Sequence, residues 1–228
     1  MSEAIILAGG LGTRLRGVVD VPKPIAPIRG RPFLGWLLDR LAACGFRHVV
    51  LATGHGADAV HAAIGEAWLG MRISYSVETE PLGTGGAVAQ ALALVADAGC
   101  HVMNGDTYMH YDAAALEALV RRQGAEAGMV LAEVADVARY GAIRMEGVRV
   151  AAFGEKTGSG PGLVNAGSYF LAPPAMRALQ ALPRPFPLEA GFLAPLAAAG
   201  GMVALAGAEH FIDIGIPEDY ARAPMVLP

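Results

Sequence analysis

Ala4-Ile5-Ile6-Leu7-Ala8-Gly9-Gly10-Leu11-Gly12-Thr13-Arg14-Leu15 runs from a short apolar segment straight into a glycine-rich turn, and Pro22-Lys23-Pro24 follows closely. The apolar residues Ala4–Leu7 read as a buried strand. Gly9, Gly10 and Gly12 let the chain turn sharply and approach a ligand without Cβ atoms in the way. Successive N–H groups on such a loop form an anion-binding concavity, and Arg14 and Lys23 add fixed positive charge. The combination suits the polyphosphate of a nucleotide. A Walker A loop is excluded because Gly12 is followed by Thr13-Arg14 rather than Lys and Ser or Thr. A dinucleotide fingerprint is excluded because its third glycine is missing.

Outward from this turn, the first half alternates apolar runs with helical periodicity. Strands are expected at His48–Thr53, Arg72–Ser76 and His101–Met103, and helices at Phe33–Ala43, Asp58–Trp68 and Gly85–Val95. Leu34, Leu37, Leu38 and Leu41 give the first helix an apolar face, and Asp112 is placed to cap a further helix reaching Arg122. This alternation predicts a Rossmann-like α/β fold of three layers, with a mainly parallel sheet between helices. After Gly128 the pieces shorten, with strands expected at Met129–Val134, Ala142–Met145, Val148–Phe153 and Leu163–Leu171. They imply a mixed extension of the sheet covering the far side of a cleft. Ala190–Ala208 is free of charge over about the length of a membrane span. Pro195 and Gly200-Gly201 break it, so a helix, a turn and a strand beginning near Met202 are expected instead.

Bulk properties narrow the function. Hydrophobic residues make up 54% and charged ones 17%, which describes a compact globular chain. A net charge of −4 with no dense basic run argues against nucleic-acid binding. Cys44 and Cys100 have no metal-ligand spacing and form no disulfide framework, so reduced cysteines and a cytoplasmic location are expected. Met1-Ser2-Glu3 lacks the basic region of a signal peptide.

Further motifs carry oxygen and amide chemistry. Glu78 precedes a second glycine cluster, Gly83-Thr84-Gly85-Gly86, at a strand-to-helix edge where open α/β sheets bind ligands. Asn104-Gly105-Asp106-Thr107 puts a carboxylate just past a strand end, and Asp213 lies in a second such motif, Phe211–Tyr220. With no cysteine or histidine cluster nearby, the Asp106 carboxylate fits Mg²⁺, a hard ion commonly shared with substrate phosphates. Glu155-Lys156, Asn165 and Tyr140-Gly141 complete the set.

Gly10-Leu11-Gly12-Thr13-Arg14 followed by Pro22-Lys23-Pro24 resembles the signature of the sugar-1-phosphate nucleotidylyltransferases. The resemblance runs from Ile5 to Tyr220, with five motifs in the family's order. It departs at Gly17 and Thr157, where many members have proline, and in an Arg14–Lys23 interval one residue shorter than usual. The resemblance implies one nucleotidyltransferase domain over 1–228, with a nucleotide-binding half of about 1–125 and a sugar-phosphate-binding half of about 126–228. It implies nucleotide contacts from Leu7, Ala8, Gly9, Gly10, Gly12, Thr13, Glu78, Gly83, Thr84, Gly85 and Gly86. Sugar-phosphate contacts fall to Asn104, Gly105, Tyr140, Gly141, Glu155 and Asn165, and Mg²⁺ to Asp106 and Asp213. Arg14, Lys23 and Lys156 become the catalytic cations, on the leaving pyrophosphate, the α-phosphate and the incoming phosphate. The implied reaction joins a sugar 1-phosphate to a nucleoside triphosphate with release of pyrophosphate. Asn104–Tyr108 and Ile212–Tyr220 look most like the D-glycero-D-manno-heptose 1-phosphate guanylyltransferases, which favours GTP. Mannose-1-phosphate guanylyltransferases and N-acetylmuramate-phosphate uridylyltransferases are the rivals. A non-catalytic nucleotide-sugar sensor is disfavoured because all five charged residues are present.

Overall fold

Ala4, Ile5 and Ile6 are completely buried because their strand lies inside a ten-stranded sheet with a parallel neighbour on each side. The computed structural model describes residues 3–10, 15, 17–154 and 158–228. In chain order the first half comprises β1 (Glu3–Leu7), β2 (Pro27–Ile28), β3 (Arg31–Pro32), α1 (Phe33–Ala43), β4 (His48–Thr53), α2 (Ala57–Ile64), β5 (Ala67–Trp68), β6 (Met71–Val77), α3 (Gly83–Ala91), β7 (Cys100–Asn104), β8 (Thr107–His110) and α4 (Ala113–Arg122). The second half comprises β9 (Ala127–Val134), β10 (Ile143–Glu146), β11 (Arg149–Phe153), β12 (Gly162–Leu171), α5 (Pro173–Gln180), α6 (Ala194–Ala198), β13 (Met202–Ala206), β14 (Glu209–Asp213) and α7 (Pro217–Val226).

The sheet order is β10-β11-β13-β9-β12-β7-β1-β4-β6-β5. Strand pairings make β11, β12 and β5 run against the other seven, so the sheet is mixed and mainly parallel. Alternation along the central strands feeds two helical layers. Ile5, Val50, Ala52 and Val102 share a core with Val88 and Ala91 of α3 and Met176 of α5. Ala4, Ile6, Val49 and Leu51 share another with Leu34 and Leu38 of α1. A third core forms under α4. The three-layer expectation holds.

After β1 the chain builds outward through β4 and β6, then α3 returns it to β7 on the other side of β1. The β1/β7 edge is therefore a switch point, and a crevice opens beyond the strand ends there. The expected helix Asp58–Trp68 is shorter: α2 stops at Ile64, where Gly65 takes φ 75°, and Trp68 belongs to β5. The uncharged stretch resolves as a π-helical turn, Glu189–Leu193, running into α6, then a Gly200-Gly201 turn and β13. Among the described residues no helix is long and apolar enough to cross a membrane.

Candidate active site

Asp106 and Asp213, far apart in sequence, meet through a small ladder. In the β8–β14 pair Asp213 lies opposite Thr107, and Ile214 donates its N–H to the Asp106 carbonyl at 2.9 Å. Lys23 arrives on a 3₁₀ turn behind Pro22 and donates from Nζ to Asp106 Oδ2 at 2.9 Å, with its side chain only 11% exposed. Burial, followed by the Asp106 carboxylate, pushes the Asp213 carboxyl above its ordinary range; the Gly215 N–H, Arg139 and Lys23 pull the other way. Arg139 donates from Nη2 to Asp213 Oδ2 at 3.2 Å, pairs through Nη1 with the buried Asp219, and lies over the Tyr140 ring at 5.0 Å. Nothing in the local sequence around Arg139 marks it as a site residue; its role emerges only when α7 and β14 are folded against it.

Two carboxylates so close that one perturbs the other are suited to sharing a cation, and the Lys23 ammonium already neutralises one of them. Their donors are oxygens, as a hard divalent ion requires. Among the described residues no group of three or more His, Cys, Asp or Glu side chains could hold a metal. Among the described residues, the Asp106 and Asp213 carboxylates are the pair that lines this junction.

The cleft has two connected parts. One, of about 390 Å³, is lined by Leu7, Gly9, Gly10, Lys23, Glu78, Gly83, Thr84, Asn104 and Asp106, among others. The other, of about 230 Å³, is lined by Tyr140, Asn165, Gly167, Tyr169, Glu189 and Asp213, among others. Leu7, Thr84 and Asn104 line both, so they mark the junction. Glu78 accepts the Leu82 N–H through Oε2 at 2.9 Å, which fixes the carboxylate at the cleft wall.

Several expected residues act from behind this surface. Ala8 is buried and donates its N–H to Ala52 at 2.7 Å. Gly105 donates its N–H to Leu7 at 2.9 Å and ties β7 to β1. Gly141 donates its N–H to Val137 at 2.9 Å, closing the turn behind Tyr140. Gly85 and Gly86 are buried at the start of α3 and do not line the cavity. A Cβ on Gly85 would lie 2.2 Å from Cε2 of Phe186, and Gly85 N–H donates to the Phe186 carbonyl at 3.0 Å. Their missing side chains admit the Phe186 ring at Gly85 and the Leu82 and Arg184 side chains at Gly86. Phe186 and Glu189 were not marked by the sequence motifs. Gly12, Thr13, Arg14, Glu155 and Lys156 lie outside the described residues.

A switch-point cleft with a glycine turn, a half-buried lysine and paired carboxylates defines a nucleotide-handling transferase site, and the chain belongs to the nucleotidyl transferase family, whose profile matches residues 3–227. Full-length relatives are more specific. The chain is 37% identical over 229 residues to D-glycero-alpha-D-manno-heptose 1-phosphate guanylyltransferase of Aneurinibacillus thermoaerophilus, covering 99% of this chain and 98% of the relative. It is 35% identical to mannose-1-phosphate guanylyltransferase of Mycobacterium tuberculosis, covering 96% of this chain but 63% of that longer protein. The crystal structure of HddC from Yersinia pseudotuberculosis complexed with GMP-PN superposes with a TM-score of 0.85 at 35% identity, over 99% of both chains.

Proposed function

We propose that this chain transfers a guanylyl group from GTP to D-glycero-D-manno-heptose 1-phosphate, forming GDP-heptose and pyrophosphate. The observation that carries the reading is the junction of the two cavity parts, with Asp106 lining one and Asp213 the other. The full-length similarity to a heptose 1-phosphate guanylyltransferase supports the sugar, and the GMP-PN complex of the similar structure supports a guanine nucleotide.

The nucleotide half, about 1–125, supplies the glycine turn, Lys23 and Glu78; the sugar half, about 126–228, supplies Tyr140, Asn165 and Asp213. The sugar phosphate oxygen attacks the α-phosphorus and pyrophosphate leaves in line. The nucleophile is already an anion, so catalysis rests on positioning and charge neutralisation. Lys23 is assigned to the α-phosphate, and the family motif assigns Arg14 to the leaving pyrophosphate and Lys156 to the incoming phosphate. Asp106 and Asp213 would hold Mg²⁺, which would neutralise charge on the phosphoryl oxygens. As the triphosphate arrives, Lys23 exchanges its carboxylate partner for a phosphate oxygen. Glu78, held by the Leu82 N–H, accepts from the N1–H and 2-amino group of guanine. The free thiols Cys44 and Cys100 suit a cytoplasmic location.

Pyrophosphate release with GTP, UTP, dTTP and ATP against heptose-, mannose- and glucose-1-phosphate tests the assignment. GTP should exceed the other triphosphates by up to about 10⁴-fold, because a base lacking those donors leaves polar groups unpaired. Preference for UTP or dTTP overturns the guanylyl assignment; preference for mannose-1-phosphate with GTP overturns the heptose alone.

A further inference from the structure

Asn165 is expected to contact sugar hydroxyls, yet both of its amide hydrogens are engaged inside the protein. Its Oδ1 accepts the Gly167 N–H at 2.9 Å, which fixes the amide orientation, since a backbone N–H can only donate. Nδ2 donates to the Tyr169 hydroxyl at 2.7 Å and to Glu189 Oε2 at 2.9 Å. Both amide hydrogens are therefore used. Beside Asn165 at this wall of the sugar-side cavity stands the exposed Glu189, whose second carboxylate oxygen pairs with no cation among the described residues.

We infer that Glu189 is the residue that reads a sugar hydroxyl, and that Asn165, backed by the buried Tyr169, is a positioning residue acting through it. This rests on the proposed sugar-phosphate reading of the same cavity. A carboxylate is acceptor-only, so it selects O–H donors and rejects a second anion, which suits the polyhydroxyl body of a sugar rather than its phosphate. Three features hold Glu189 in place. It opens a π-helical turn, a geometry frequent at functional sites. Its neighbour Leu188 donates an N–H to Thr84 Oγ1 at 2.8 Å, anchoring the turn to the nucleotide side of the cleft. Asn165 itself is aimed by a β-bulge, since the β12–β9 register shifts between Asn165 and Tyr169.

The test measures pyrophosphate release at saturating triphosphate, using the sugar 1-phosphate that wild-type protein turns over and its analogues lacking one hydroxyl each. Glu189→Gln keeps an acceptor for Asn165 and replaces the open oxygen by a donor, so folding is preserved; unchanged thermal unfolding checks this. The expected loss is roughly 10- to 150-fold in kcat/KM for the parent sugar, the range for hydrogen bonds to a charged group. The triphosphate KM should stay unchanged. At least one deoxy analogue penalised by the wild type should be used by Glu189→Gln as well as the parent sugar is. Asn165→Ala should lose rate but keep the wild-type penalty on that same analogue. If every deoxy penalty is identical in wild type and Glu189→Gln, Glu189 reads no hydroxyl and the inference falls. If Asn165→Ala alone erases the penalty, the two roles are reversed. Absence of any turnover by wild type would instead overturn the sugar-phosphate reading, and this inference with it.

Discussion

Lys23 and Asp106 form a 2.9 Å ion pair at the mouth of the glycine turn, and each is expected to change partner during the reaction. Asp106→Asn keeps the shape of the side chain and removes its charge. Turnover should drop on the order of 10²–10³, the usual result of removing one preorganised charge contact, with an unchanged circular dichroism spectrum. Asp213→Asn should behave alike; full activity of either variant at limiting Mg²⁺ would remove that residue from the metal site. Asp213 also sets a pH dependence in chelator-treated protein. Its folded carboxyl is raised, chiefly by burial, so the folded state holds the proton more tightly than the unfolded chain. Its contribution is fully present below the ordinary carboxylate value of 3.8 and is lost as pH rises through the folded value. Denaturant titrations of wild type and Asp213→Asn should diverge over that interval, the wild type losing relative stability with rising pH. Lys23, Asp106 and Asp213 were legible in the sequence because each sits in a local motif with a chemical reason for its residue types. Glu189 and Arg139 stand in no such motif, and their places beside Asn165 and Asp213 depend on partners 24 and 74 positions away.

The strands and helices of the first half could be read because each buries a continuous apolar face: His48–Thr53 and Phe33–Ala43 fall where the sequence puts them. The β8–β14 ladder could not be read, although it joins the two carboxylates. Its strands are short, and His210 takes φ 52°, breaking the alternation that identifies a strand. The bulge in β12 escaped for a related reason. Gly167 has φ 74°, and a Cβ there would lie 2.5 Å from Asn104 Nδ2. Gly167→Ala should cost about 1–3 kcal/mol, from left-handed backbone strain and the displaced Asn104. Thermal unfolding should fall by roughly 2–4 °C per kcal/mol for a chain of this size. Because Asn104 lies at the junction and Asn165 on the bulge, kcat/KM for the sugar phosphate should fall further than kcat/KM for the triphosphate. An equal fall in both would assign the bulge a purely structural role.

The β2–β3 turn is clasped to the C-terminal segment. Arg29, in the turn between β2 and β3, donates to the Pro228 carbonyl at 2.9 Å, to the Leu227 carbonyl at 2.5 Å and to the Pro224 carbonyl, while Tyr220 donates to Pro27 at 2.7 Å. The clasp presses α7 against the layer that carries α1 and keeps Asp219, the second partner of Arg139, in position. Arg29→Ala exposes polar ends that water can satisfy, so the loss should be about 1 kcal/mol, or about 2–4 °C in Tm. Hydrogen exchange should show it confined to α7 and the tail; a shift spread over the whole sheet would contradict a local clasp. A different consequence follows from Phe186. Its ring occupies the space left by Gly85, and three residues later Glu189 faces the sugar cavity. The stretch from 182 to 193 thus packs Phe186 against Gly85 and presents Glu189 to the sugar-side cavity. It has the form of an exchangeable cassette. Swapped between relatives that keep glycine at positions 83, 85 and 86, it should carry sugar preference with it and leave base preference behind, a route to new nucleotide sugars by loop grafting.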